Sequence, residues 1–235
     1  MHKVDYTLYM VTDRTLMRTK TLEACIEQAL CGGVTLVQLR EKHLETDAFI
    51  SLGKRVKSLC DTYNVPLVIN DRLDVAIGVN ACGVHIGQDD MSASVARAML
   101  GPERLLGVSV TSVAQAIRAQ ADGADYLGVG AMFVTQTKQD ASYVSLQTLA
   151  AIRKAVNLPI VTIGGMNKET IPLCEPYCMQ GFAVVSALVN QPDVYRAAKE
   201  LRQYAAKYSF PSEKRILSWP RVQTPSAVPI QPAGW

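Results

Sequence analysis

Eight short apolar runs recur along the chain, and longer segments with helical periodicity separate them. Most of these runs are rich in Val, Ile and Leu and lack strict alternation with polar residues. That pattern is typical of strands buried on both faces of a parallel sheet. The predicted strands are Thr7–Thr12, Thr35–Leu39, Pro66–Ile69, Gly83–Ile86, Leu105–Val110, Asp125–Val129, Pro159–Ile163 and Gly181–Val185.

The segments between the runs have apolar stripes with the spacing of amphipathic helices. Predicted helices include Thr21–Leu30, Asp47–Tyr63, Val113–Ala121 and Leu146–Val156. Consecutive parallel strands require crossover connections, which helices supply. About eight strand–helix units in 235 residues favour a single α/β domain, a closed (β/α)8 TIM barrel. An open doubly wound sheet is the alternative, but the first strand–helix junction lacks the Gly-rich sequence that binds dinucleotides.

The barrel domain is predicted at residues 1–208, and a Pro-rich tail follows at residues 209–235. The tail contains five of the eleven prolines, and proline at this density interrupts helices and sheet ladders. We therefore expect the tail to be disordered or draped over the surface, without a chemical role.

Composition narrows the expected partners and compartment. The net charge is +3 and Lys and Arg are scattered, which gives no reason to expect a nucleic-acid partner. The N-terminus lacks a signal-peptide pattern and no run of about eighteen apolar residues occurs, so we expect a cytoplasmic protein that does not span a membrane. The six cysteines are interpreted as buried free thiols in a reducing compartment. The oligomeric state is left open, a homo-oligomer included.

Polar residues collect where the predicted strands end. Because the carboxyl ends of all barrel strands meet at one rim, we expect these residues to share one pocket. In chain order the polar residues are Gln38, Arg40, Glu41, Lys42, Asn70, Asp71, Asp90, Ser109, Thr135, Gln136, Thr137, Lys138 and Ser186, and the same strand ends also carry Gly164, Gly165 and Val185.

This set has the chemistry of an anion-binding site. Asp71 and Asp90 offer hard oxygen ligands that suit Mg2+, although each alone could equally be a helix N-cap. Arg40, Lys42 and Lys138 supply positive charge, and threonine hydroxyl groups stand close to Lys138. Cations, hydroxyl donors and a metal ion together suit a diphosphate.

A second anion subsite is predicted after the seventh strand. The Gly164–Gly165 turn leads into a helix that we expect to begin near Asn167, and a helix N-terminus readily binds phosphate. A metal-assisted subsite beside a metal-free one is the layout of a transferase that joins a diphosphate donor to a phosphorylated acceptor. A hydrolase is disfavoured because no dedicated water-activating base stands out. His85 lies within a predicted strand, where a structural imidazole is favoured, although an inward position would place it under the site.

Several motifs follow one another in the order VTDR, GGVTLVQLREK, INDRLDVA, GVHIGQDD, GVSV, GADYLGVGAMFVTQTKQDA, IGGM and VVSAL. On these motifs the chain resembles the thiamine phosphate synthase family from about Tyr9 to Leu201. The combination of QLREK, the IND pair, GQDD and TxTK in this order is highly specific. The Pro-rich tail is not part of the family pattern.

The resemblance implies a reaction and a cofactor. The family joins 4-amino-2-methyl-5-hydroxymethylpyrimidine diphosphate to hydroxyethylthiazole phosphate, which yields thiamine phosphate and diphosphate. The C–O bond is thought to break first, after which the thiazole nitrogen captures the pyrimidine cation. Mg2+ acts as a Lewis acid on the leaving group.

The resemblance also implies roles for the residues at matching positions. Asp71 and Asp90 would bind Mg2+, and the catalytic residues would be Arg40, Lys42, Ser109 and Lys138. The pyrimidine diphosphate would contact Gln38, Leu39, Arg40, Glu41, Lys42, Asn70, Ser109 and Lys138, and the thiazole phosphate would contact Thr135, Gln136, Thr137, Gly165, Val185 and Ser186.

Three alternatives stay open at this point. A thiazole tautomerase-like isomerase would handle the thiazole phosphate without needing a diphosphate and metal site. A non-catalytic sensor would bind thiamine phosphate without turnover. Another phosphate-binding barrel enzyme would need a different acid–base pair at the rim, and the sequence does not present one.

Overall fold

The computed structural model describes residues 4–134 and 143–209. Eight parallel strands form a closed barrel in which neighbours in the chain are neighbours in the sheet, and the last strand pairs with the first. The strands are β1 Leu8–Val11, β2 Leu36–Leu39, β3 Leu67–Asn70, β4 Gly83–Ile86, β5 Leu105–Val110, β6 Tyr126–Val129, β7 Ile160–Ile163 and β8 Gly181–Val184. The predicted TIM barrel is confirmed, and the open doubly wound sheet is excluded.

Helices connect the strands on the outside of the barrel. They are α1 Leu22–Cys31, α2 Thr46–Thr62, α3 Leu73–Val79, α4 Ala93–Leu100, α5 Val113–Ala121, α6 Leu146–Ala155, α7 Ser186–Val189 and α8 Val194–Tyr208. The four helices whose bounds were predicted agree with the observed ones to within one residue at each end. Side chains fix several of the starts: Thr21 Oγ1 accepts the N–H of Ala24 at 3.1 Å, and Asp193 Oδ1 accepts the N–H of Arg196 at 2.9 Å. Each cap satisfies an N–H group that would otherwise lack a partner at the helix end.

The core has two layers because successive strand residues point to opposite faces. One layer lies between the strands and the helices and contains most of the buried aliphatic side chains. The other fills the barrel interior, and it consists of Tyr6, Tyr9, Val11, Leu36, Val68, Tyr126, Val161 and Ala183. The interior therefore holds three tyrosines, whose hydroxyl groups need hydrogen-bond partners there.

The connection after β7 differs from the prediction. No α-helix begins near Asn167; turns lead instead into a 3₁₀ helix, Ile171–Tyr177. Pro172 and Pro176 explain the difference, because each lacks the N–H group that an α-helix uses. Asn167 Oδ1 closes the turn by accepting the N–H of Thr170 at 3.0 Å. A phosphate subsite here has to rely on the Gly164–Gly165 turn and not on the start of an α-helix.

The cysteines agree only in part with the expectation of buried thiols. None of the six cysteines forms a disulfide bond; Cys25, Cys60 and Cys174 are buried as expected, and Cys82 and Cys178 are half-buried. Cys31 is exposed, so the expectation of burial is wrong there. None of the helices in the described part of the chain is long and apolar enough to cross a membrane. Residues 210–235 of the predicted tail lie outside the described residues.

Candidate active site

Arg40 follows β2 and is held in place by the loop after β1. Its backbone N–H donates to Thr12 Oγ1 at 2.9 Å, and its Nη1 donates to Asp13 Oδ2 at 3.4 Å. The side chains of Arg40 and Asp13 are 13% and 12% exposed, so solvent screens this pair only weakly. The guanidinium is thus positioned at the barrel mouth, where its fork of N–H donors suits a diphosphate.

Glu41 is held by the same loop. Its Oε1 accepts a hydrogen bond from Arg14 Nε at 2.6 Å, and its side chain is only 9% exposed. Arg14 therefore compensates the negative charge that Glu41 would otherwise bring to an anion site. The neighbouring Lys42 is exposed, which leaves its ammonium group accessible to an anionic ligand.

Asp71 and Asp90 come from the ends of β3 and β4, which pair in the sheet. Asp71 has a left-handed φ of 62°, and its N–H donates to the carbonyl oxygen of His85 at 2.8 Å. Asp90 Oδ2 accepts the N–H of Gly87 at 2.7 Å. These backbone bonds hold both carboxylates at the mouth.

The helix-cap interpretation of the two aspartates is wrong. Arg72 occupies the N-cap position of α3 and Ser92 that of α4. Asp71 therefore lies one residue before its cap, and Asp90 lies two residues before. Local helix chemistry does not account for either carboxylate.

The electrostatics of Asp71 are those of a carboxylate beside another carboxylate. Partial loss of solvent, and secondly the adjacent Asp90, raise the pKa of Asp71 to about 6, while Asn70 and Arg40 act in the opposite direction. Two acidic groups side by side are stabilised by a divalent cation between or beside them.

This donor set fits Mg2+. The described residues contain no cluster of three or more His, Cys, Asp or Glu side chains that could enclose a metal. Mg2+ does not need such a cage, because it keeps several waters and is bound by one or two carboxylates together with substrate phosphate. Asp71 and Asp90 would provide those two carboxylates.

A hydrogen-bonded chain of five side chains crosses the barrel interior, and we call it the interior chain. Gln38 Nε2 donates to Tyr9 OH at 2.7 Å, and Tyr9 OH lies 2.8 Å from Tyr126 OH. Tyr126 OH lies 2.9 Å from His85 Nδ1, and His85 Nε2 lies 2.8 Å from Ser109 Oγ. Both ends, Gln38 and Ser109, are predicted substrate contacts.

Two strand glycines make room for the interior chain. A Cβ on Gly107 would lie 2.2 Å from Tyr126 Cζ and 2.4 Å from His85 Nδ1. A Cβ on Gly128 would lie 3.0 Å from His85 Cε1. Glycine weakens a strand, and here it admits two ring systems at the centre of the barrel. Gly128 thus permits the close approach of the His85 ring to its strand.

The opposite side of the mouth is formed by the ends of β7 and β8. Gly164 and Gly165 both have left-handed φ values, 91° and 66°. A Cβ on Gly165 would lie 2.8 Å from Phe133 Cβ and 2.9 Å from the Val134 carbonyl oxygen. The turn therefore needs glycine both for its conformation and for its close contact with the segment after β6.

The remaining predicted contacts divide into three groups. Val185 is half-buried and Ser186 is exposed at the start of α7, so both border the mouth. Leu39 is fully buried in the layer between strands and helices, so a ligand contact from Leu39 has to come from its backbone. The remaining four follow directly after Val134 and lie outside the described residues: Thr135, Gln136, Thr137 and Lys138.

Sequence reasoning missed the residues that support the predicted contacts. Asp13 and Arg14 hold Arg40 and Glu41, and Tyr9 and Tyr126 form the middle of the interior chain. A signal for the tyrosines existed: they stand at inward positions of strands, and glycines occupy inward positions nearby. The partners themselves could not be read from the sequence, because Tyr9 and Tyr126 are 117 residues apart.

Comparison with known proteins gives consistent results. A family model described as thiamine monophosphate synthase matches residues 8–188. A thiamine-phosphate synthase of Ruminiclostridium cellulolyticum is 52% identical over 199 residues, which cover 85% of this chain and 95% of that protein. One of Clostridium beijerinckii is 48% identical over 200 residues, which cover 85% and 96%. The solved structure of a thiamine phosphate pyrophosphorylase from Pyrococcus furiosus has a TM-score of 0.79 at 37% identity, with 86% of this chain and 96% of that one covered.

Proposed function

Because the chain belongs to the thiamine monophosphate synthase family, we propose that it condenses the pyrimidine diphosphate with hydroxyethylthiazole phosphate at the barrel mouth, in a reaction assisted by Mg2+. It is an enzyme, a transferase of thiamine biosynthesis. The products are thiamine phosphate and diphosphate. Its small-molecule substrates are both anionic, in agreement with the cationic groups at the rim.

One observation carries the assignment of the site. Asp71 and Asp90 stand side by side at the mouth, and Arg40 lies close enough to Asp71 to affect its pKa. Paired carboxylates next to a guanidinium are unfavourable for a neutral ligand but suit a metal-bound diphosphate, because the metal satisfies the carboxylates and the guanidinium meets the phosphate oxygens.

The bond changes place most of the work on charge neutralisation and positioning. The bond between the pyrimidine methylene carbon and the diphosphate oxygen breaks, and the electron pair leaves with the diphosphate. The thiazole nitrogen then donates its lone pair to the methylene carbon. Arg40, Lys42 and Lys138 would stabilise the charge that develops on the leaving diphosphate. Bound Mg2+ would supply further Lewis-acid stabilisation of this leaving group, with Asp71 and Asp90 as its protein ligands.

The two substrates must also be held in line for the capture step. Gln38 and Ser109 would hold the pyrimidine ring, and Asn70 and Glu41 would border its diphosphate. The thiazole phosphate would lie across the mouth, near the Gly164–Gly165 turn. Positioning of this kind can supply a large part of a rate enhancement, because it replaces a chance encounter of the two substrates by a fixed arrangement.

The tautomerase and the sensor are not favoured. A tautomerase acting only on thiazole phosphate has no use for paired carboxylates beside Arg40, and the described site retains all three. A sensor would need the product site but not the groups that neutralise a leaving diphosphate. The described residues at the mouth likewise do not present the acid–base pair that an epimerase would use.

Product identity is the appropriate test. Both substrates are incubated with the full chain and Mg2+, and thiamine phosphate is quantified after oxidation to its fluorescent thiochrome, while thiazole phosphate is followed by NMR in parallel. Thiamine phosphate that forms only when both substrates are present supports the synthase. Rearranged thiazole phosphate without thiamine phosphate would contradict it in favour of the isomerase, and bound thiamine phosphate without turnover would contradict it in favour of the sensor.

A further inference from the structure

The interior chain connects two groups that the proposed function places against the pyrimidine ring. Between Gln38 and Ser109 stand Tyr9, Tyr126 and His85, none of which faces a substrate phosphate in the proposed function. Tyr9, Tyr126 and His85 are 1%, 0% and 7% exposed. Burial raises the pKa of both phenols above the ordinary value, so each tyrosine keeps one hydrogen to donate at neutral pH.

The direction of donation along the interior chain follows from the number of hydrogens that its members can donate. Tyr9 oxygen accepts from Gln38 Nε2, so the hydrogen of Tyr9 is donated to the oxygen of Tyr126. The hydrogen of Tyr126 then goes to His85 Nδ1, which has to be unprotonated to accept it. A neutral imidazole with an acceptor at Nδ1 carries its hydrogen at Nε2. His85 Nε2 therefore donates to Ser109 Oγ.

We propose that the interior chain fixes His85 as the Nε2–H tautomer and thereby sets the hydrogen-bonding pattern that Ser109 and Gln38 present to the pyrimidine ring. Ser109 Oγ accepts from His85, so its own hydrogen is available to the substrate. The amide nitrogen of Gln38 donates to Tyr9, so Gln38 Oε1 is available to the substrate as an acceptor. Tyr9 and Tyr126 are positioning residues in this scheme, which rests on the proposed function for the identity of the ligand.

The pattern has a consequence for specificity. A 4-aminopyrimidine presents an amine donor beside a ring-nitrogen acceptor, and it is matched by one acceptor and one donor of the protein. A 4-oxo pyrimidine in its lactam form presents a carbonyl acceptor beside a ring N–H donor, which is the opposite order. With the interior chain fixed, the oxo ring leaves groups unpaired, and a site built to hydrogen-bond its substrate rejects such analogues strongly.

The alternative direction is physically distinct. If the Gln38 amide were turned, its oxygen would accept from Tyr9, and every hydrogen in the interior chain would point the other way. His85 would then carry its hydrogen at Nδ1, and Ser109 would donate to His85 instead of to the substrate. The tautomer of His85 therefore reports the direction directly.

NMR of the imidazole nitrogens tests the direction without any substrate. The chain has three histidines, and the His85 signals are identified by their loss in His85→Asn. We expect the Nε2–H tautomer in the wild type at neutral pH and a mixture with Nδ1–H in Tyr126→Phe. Tyr6→Phe is the matched control: its ring centroid lies 5.0 Å from that of Tyr126, but its hydroxyl is not in the interior chain. An Nδ1–H or doubly protonated His85 in the wild type, or an unchanged spectrum in Tyr126→Phe, would overturn the proposal.

A double-mutant cycle tests whether Tyr126 acts through Ser109. We expect Tyr126→Phe and Ser109→Ala each to lower kcat/KM for the aminopyrimidine diphosphate by about tenfold or more. Tyr126→Phe should also reduce the discrimination against the 4-oxo analogue, and it should have little further effect in the Ser109→Ala background. Tyr6→Phe should keep both properties of the wild type. Independent, multiplicative losses in kcat/KM would contradict the coupling. A wild type without turnover would contradict the proposed function, and the tautomer of His85 measured by NMR would then be the test of the interior chain.

Discussion

The carboxylate of Asp13 lies 3.4 Å from Nη1 of Arg40, and both side chains are largely shielded from solvent. This pair links the loop after β1 to the cation that the proposed reaction needs most. Arg40 is therefore aimed by a residue outside the set predicted to contact substrate.

Replacement of Asp13 by Ala should disorder Arg40 without unfolding the barrel. We expect kcat/KM for the pyrimidine diphosphate to fall by about three- to tenfold, because a misplaced guanidinium stabilises the leaving group less well. Steady-state kinetics would measure this. Asp5→Ala, which removes an exposed carboxylate paired with Arg202, is the control and should behave like the wild type. Unchanged kinetics in Asp13→Ala would show that Arg40 does not depend on Asp13.

Replacement of Asp71 by Asn should separate stability from function. The raised pKa of about 6 means that the carboxylate is less favourable in the folded protein than in the unfolded chain above that pH. Asp71→Asn should therefore raise the free energy of unfolding by about 1 kcal/mol or less in EDTA at pH 8. The melting temperature should rise accordingly. The gain should shrink as the pH falls through about 6 toward 3.8, the ordinary pKa of an aspartate side chain. Mg2+-dependent turnover should be lost.

Asp74→Asn provides the control of opposite sign. Hydrogen bonding to Arg72 lowers the pKa of Asp74, so the carboxylate favours the folded state at neutral pH. Its removal should cost well under about 1 kcal/mol, because the pair is exposed, and should spare turnover. Thermal unfolding in EDTA distinguishes the two variants. A destabilised Asp71→Asn would mean that the paired carboxylates are not under electrostatic strain.

Replacement of Gly107 by Ala should destabilise the barrel from its centre. The new methyl group would lie 2.2 Å from Tyr126 Cζ and 2.4 Å from His85 Nδ1. Two buried rings would have to move, at a typical cost of about 1–3 kcal/mol or more. Gly128→Ala should cost less, because its nearest contact is 3.0 Å. Urea unfolding would measure the order of the two, and the reverse order would contradict the described packing.

An ion pair at the opposite, amino-terminal face of the barrel should affect stability but not catalysis. Arg97 Nη2 donates to Asp125 Oδ2 at 2.5 Å, and Arg97 also donates to the carbonyl oxygens of Gly101, Gly123 and Arg104. Arg97→Ala would leave the partly buried carboxylate of Asp125 without its counter-charge, at a cost of about 3 kcal/mol. Because Asp125 directly precedes β6, the pair lies at the amino-terminal face, away from the chemistry. Kinetics measured well below the melting temperature should therefore match the wild type, and a large loss of kcat there would contradict this separation.

The sequence predicts much of this molecule because its strongest patterns are local. The eight strand runs, and helix starts such as Thr21, depend on residues that are close together in the sequence, and all are observed. The α-helix expected near Asn167 is wrong because Pro172 and Pro176 lack N–H groups that such a helix would need. The interior chain depends on which strand positions face inward and on which residues then meet across the barrel. His85 and Tyr126 are 41 residues apart, and their contact is a property of barrel closure.

The most direct test of the account is diphosphate release, followed with the full chain in four mixtures. They contain the pyrimidine diphosphate with or without thiazole phosphate, each in Mg2+ or in EDTA. We expect rapid release with Mg2+ and both substrates, and almost none in EDTA, because Asp71 and Asp90 then have no cation to share with the leaving group. Equal release in Mg2+ and EDTA, or no release in any mixture, would contradict it.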